Sequence, residues 1–96
     1  MEETLFNFIL VRKINLKNDL ASSKIDYTGT WVKKGRLFAL ESIPQTNLSD
    51  MIQFIITEFK NKNSFTKEND DFKSGYFSEL YEIQNYIVQN LKQLKK

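Results

Sequence analysis

The sequence predicts an α+β domain in which a three-stranded antiparallel sheet carries two helices. Three observations lead there: an apolar run over 4–14 without helical spacing, apolar residues mirrored about Lys34-Gly35, and a long stripe at helical spacing from Phe72 onward. Strands first and helices after is the α+β order, with the helices packed on the sheet. Ninety-six residues make a single small globular domain, 1–96, since domains run from about 50 to 250 residues.

The first strand is predicted over 4–14. Phe6, Phe8 and Leu10 form one face and Leu5, Ile9 and Val11 the other. Both faces are apolar, which predicts a central strand covered on both sides. A polar connection follows from Asn15 to Lys24.

A hairpin is predicted over 25–42. With the turn at Lys34-Gly35, Trp31 faces Phe38 and Gly29 faces Leu40. One face then gathers Ile25, Tyr27, Trp31, Phe38 and Leu40. A slip of one residue scatters these aromatics over both faces, so the apolar pattern selects this register. Pro44 closes the strand region.

The first helix is predicted over 48–61. Asn47 is a suitable N-cap, and Ser49 and Asp50 lie in the first turn, where an acidic group favours the helix dipole. Leu48, Ile52, Ile55, Ile56 and Phe59 make its apolar stripe, with Met51 at the edge and Phe54 nearly opposite. The stretch 60–73 reads as a polar, mobile loop anchored by Phe65. A second helix is predicted over about 72–95, starting at Ser74 if Gly75 is not tolerated inside it. Phe72, Tyr76, Leu80, Ile83, Ile87, Leu91 and Leu94 are spaced 4, 4, 3, 4, 4, 3, close to the helical repeat. Phe77, Tyr81 and Val88 widen the apolar arc to about half the circumference, which implies burial against more than one neighbour. Lys92, Lys95 and Lys96 complement the dipole at its C-terminal end.

Composition bears on chemistry. The chain has no Cys and no His, so disulfides, thiolate metal sites, the commonest general base and the commonest metal ligand are excluded together. The stretch from Gly29 to Gly35 has five intervening residues and is followed by Arg36, which does not match a phosphate-binding loop. Glu68, Asp70 and Asp71 read as helix N-terminal charges, not as an acid/base pair. No cofactor, metal or catalytic residue is assigned, and the chain is read as not an enzyme.

A net charge of +2, from 14 basic and 12 acidic residues, is small for a protein held by phosphate neutralisation. Twelve Lys against two Arg, with nine Ile and nine Asn, fits an AT-rich bacterial or phage genome. The N-terminus carries Glu2 and Glu3 instead of a basic leader, and the apolar run from Leu5 is too short to span a bilayer, so a cytoplasmic location without membrane association is expected. Thirteen aromatics and three apolar faces exceed what one small sheet-and-helix core hides. The expected function is therefore a protein-binding interaction module of inhibitor, immunity or adaptor type. Its expected partner-binding residues are Met51 and Phe54 as apolar anchors, with Lys33, Lys34 and Arg36 as a charged rim beside Trp31. Nucleic-acid binding at the basic hairpin tip, and self-association as a homodimer or as an oligomerisation domain of a larger assembly, stand as alternatives.

Overall fold

The computed structural model describes residues 2–22, 27–65 and 70–94, and among these every regular element is helical. Helix α1 spans Glu2–Ser22, α2 Tyr27–Ser42, α3 Leu48–Lys60 and α4 Asp70–Leu94, with a single 3-10 turn at Lys62–Ser64 between the last two. The expected three-stranded sheet is absent from the described residues, and the domain is all-α, not α+β.

The first strand, 4–14, is instead the N-terminal half of α1. Leu5, Ile9, Arg12 and Leu16 repeat every three to four residues along its inner side. Leu5 and Ile9 are fully buried and Leu16 packs against the core. Leu10, Val11 and Ile14 lie on the outer side. Apolar residues on both sides of a helix hide its 3.6-residue period, and such a run reads equally well as a strand buried on both faces.

The hairpin, 25–42, is replaced by α2. Residues 31 and 38 mirror one another about a turn at 34–35, yet residues seven apart also share one face of a helix. The helical relation is the one realised. Trp31 and Phe38 both meet the ring of Phe72, with centroids 6.5 and 5.5 Å away. Ile25 lies outside the described residues, as does the side chain of Tyr27.

Gly35 serves helix packing, not a turn. A Cβ there would lie 2.0 Å from the Phe72 carbonyl oxygen, and one on Gly75 would lie 2.0 Å from that of Val32. The two glycines let the backbones of α2 and α4 touch, and these helices share the largest interhelical contact. Helix α4 starts at Asp70 and runs through Gly75, so the glycine does not delay it.

Pro44 prevents α2 from continuing, because its ring removes a donor and disfavours helical backbone at Ile43. Asn47 caps α3, its side-chain oxygen accepting the Asp50 N–H at 2.8 Å. The buried side of α3 is rotated from the predicted stripe: Met51 and Ile55 are in the core, while Ile56 is 44% exposed. Phe65, after the 3-10 turn, packs on α4 with its ring 4.7 Å from Tyr76 and 5.3 Å from Phe77. The core gathers these side chains with Leu5, Ile9, Ala39, Leu40, Leu80 and Ile83.

Candidate functional site

Three features stand out from this core: a buried carboxylate, an aromatic cleft and an apolar helix face left uncovered. The carboxylate belongs to Glu79 on α4, which is fully buried. Arg12 of α1 grips it through Nε and Nη2, the latter donating to Oε1 at 2.8 Å. Arg36 of α2 donates from Nη1 to the same oxygen at 2.9 Å. Hydrogen bonding to Glu79 holds the Arg12 guanidinium above its ordinary range, against the opposing effect of burial. Both oxygens of Glu79 accept hydrogen bonds from permanent cations, three bonds in all, so the group ties three helices together.

The second feature lies where α2, α3 and α4 meet near the 3-10 turn. Tyr76 is 1% exposed and donates its hydroxyl hydrogen to the Glu58 carboxylate. Burial first, then this hydrogen bond and the charge of Glu58, push the Tyr76 phenol well above its usual value. An open cleft of about 390 Å³ lies beside the pair. A larger cleft of about 610 Å³ borders the first half of α4, with Arg36, Lys62 and Lys73 set against Asp70 and Glu82. Its mixed charges select no single class of ligand.

The third feature is the outer side of α1. Glu3, Asn7, Leu10, Ile14, Lys17 and Ala21 are all exposed and fall at alternating steps of four and three. Leu10 and Ile14, 50% and 48% exposed, sit at the centre of this row, and Val11, 55% exposed, flanks them. Leu10, Val11 and Ile14 are the large apolar members of this side, and they form a patch about one turn long of the kind a second helix packs against. No helix of the described chain covers it.

The expected site residues are dispersed. Met51 is fully buried and belongs to the core. Phe54 is half-buried and lines the aromatic cleft. Lys33 and Lys34 lie on α2, where the Lys34 ammonium sits 4.6 Å from the ring centroid of Trp31. Arg36 is engaged with Glu79, so no basic hairpin tip forms. The α1 stripe is hidden in the sequence because a strand reading over 4–14 places Leu10 and Val11 on opposite faces and leaves Lys17 and Ala21 in the polar connection 15–24. The one available signal was the exposed row's own 4-3 spacing, running in parallel with the inner row. Lys92, Lys95 and Lys96 and the side chains of Leu91 and Leu94 lie outside the described residues.

No family model, curated protein or solved structure matches the chain. No helix among the described residues is long and apolar enough to cross a membrane.

Proposed function

We propose that this chain is a non-enzymatic, cytoplasmic protein-binding module whose contact element is α1, and that its partner presents an amphipathic helix. The observation that supports this reading is the exposed heptad-spaced row centred on Leu10 and Ile14. Its spacing selects a helix as the occupant, because knobs from a second helix fit between residues that recur every three and four positions. Glu3 near the start of the row and Lys17, which also lies 4.0 Å from Glu41 of α2, flank the apolar patch with opposite charges that orient the incoming helix. The Arg12–Glu79–Arg36 cluster fixes α1 on α2 and α4, so the outer row is held on a rigid support.

Photo-crosslinking from a reactive residue in place of Val11, in lysate of the source organism, tests the reading. The expected product is one heteromeric species whose crosslinked peptide is an amphipathic helix, lost in Leu10→Asp/Ile14→Asp. A crosslink to a second copy of the chain, or none, overturns the reading.

A further inference from the structure

The cleft beside Tyr76 and Glu58 combines aromatic walls with a single carboxylate. Its walls are aromatic: Phe38, Phe54, Phe65 and Tyr76. The ring of Tyr76 stands nearly perpendicular to those of Phe65 and Phe38, at 88° and 75°, so the walls turn a corner instead of stacking flat. Glu58 supplies the single charged group of the lining, and no cation lies within ion-pair distance of it among the described residues. Tyr76 takes up part of its accepting capacity, and a carboxylate has about four acceptor positions. Ser42, Asn61 and Ser64 add oxygen acceptors at the rim.

A carboxylate among aromatic faces attracts cations twice, by its charge and by the negative faces of the rings. An anion or a neutral polar ligand would gain neither term. Metal ions fit poorly, since hard cations require several oxygen ligands and soft ones sulfur or imidazole, whereas rings supply most of this surface. The oxygen acceptors at the rim favour a cation with N–H donors over a quaternary one. The aromatic walls favour a cation carrying an aliphatic stem. We propose that this cleft binds an alkylammonium ion, its ammonium on Glu58 and its stem against Phe54 and Phe65.

Titration of the full chain with n-butylammonium, followed by amide and aromatic NMR shifts, tests this directly. Saturable shifts are expected at Phe54, Phe65 and Tyr76 with a Kd of about 1 mM, as suits so small a ligand. n-Butanol, with the same stem and no charge, should not saturate. Glu58→Gln keeps an oxygen to accept the Tyr76 hydroxyl and removes the charge, so binding should weaken by about tenfold or more. Phe54→Leu keeps the bulk, removes a ring face and should also weaken binding. Spermidine and Nα-acetyl-lysine amide separate the two sources of such a group. Tighter binding of the former assigns a free polyamine, and tighter binding of the latter assigns a protein-borne lysine. Equal binding of butanol and butylammonium, unchanged affinity in Glu58→Gln, or no saturable shift in this cleft overturns the proposal. The comparison of butanol with butylammonium needs only the wild-type chain, so it decides even if a variant misfolds.

Discussion

Gly35 of α2 and Gly75 of α4 each press against the backbone of the other's helix. A Cβ on either would stand 2.0 Å from a main-chain carbonyl oxygen, Phe72 for the first and Val32 for the second. Carbonyl oxygens of a helix cannot swing aside as a flexible side chain can, so any Cβ forces the two helices apart. In a helix interior Gly→Ala normally gains about 1 kcal/mol from propensity. Here the overpacking term, typically about 1–3 kcal/mol and larger against backbone, outweighs it. Gly35→Ala and Gly75→Ala should each lower the urea midpoint. Because both act on one interhelical spacing, the double variant should lose less than the sum of the two losses. A neutral or stabilising Gly35→Ala would refute the close crossing.

The Arg12–Glu79–Arg36 cluster predicts a second pattern of non-additivity. Removing one arginine leaves Glu79 still paired with the other, at a cost of about 1–3 kcal/mol. Arg12→Met/Arg36→Met leaves a fully buried carboxylate without a cation, which costs about 3–5 kcal/mol beyond packing effects. Adding Glu79→Leu to that double variant should restore much of the stability, because an apolar triad of similar volume has no charge to desolvate. Equilibrium unfolding of wild type, the two single arginine variants, the double variant and the triple variant measures this. Simple additivity would mean that the charges act independently.

These two relationships also show where the sequence was legible and where it was not. Helices are expected over 48–61 and about 72–95, and α3 covers 48–60 and α4 covers 72–94 of those stretches, because apolar residues at helical spacing and the Asn47 cap leave few alternatives. The first 42 residues carried no such asymmetry. Helix α1 is apolar on both sides, and α2 places Trp31 and Phe38 at a separation that suits a hairpin and a helix equally. Gly35 then tipped the choice toward a turn. A glycine that admits a neighbouring backbone and a glycine that turns a chain look alike until the neighbour is known. The site residues follow the same division: Phe54 lines a cleft, whereas Arg36, a rim residue in the sequence reading, is held by a carboxylate 43 positions away. Pairings between distant residues leave no local signature.

The raised ionisation of Tyr76 gives stability a dependence on alkaline pH. The folded chain retains the phenolic proton above the ordinary value of 10.0, while the unfolded chain releases it there. Stability from this group is therefore complete below that value and falls as pH rises above it, by about 1.4 kcal/mol per pH unit. Denaturant titrations at several alkaline pH values should show a steeper decline for wild type than for Tyr76→Phe. Tyrosinate absorbance should also show one phenol that ionises only with unfolding, and that amplitude should vanish in the variant. Parallel declines would mean that Tyr76 is not held neutral by the fold.

Helix α1 offers a separation of stability from binding. Leu10 and Val11 are each about half exposed in the isolated chain, so Leu10→Lys/Val11→Lys removes little buried apolar surface. Exposed substitutions of this kind normally change stability by less than about 0.5 kcal/mol each, and lysine is nearly as good a helix former as leucine. The unfolding midpoint should stay close to that of wild type. Capture of the helical partner through α1 should be lost, because one ammonium group would have to be desolvated at the centre of the seam and a second at its flank. Leu5→Lys and Ile9→Lys, on the fully buried side of the same helix, should unfold the chain instead. Large destabilisation by the outer pair would show that this face is covered within the chain, and would leave α1 without a surface to offer.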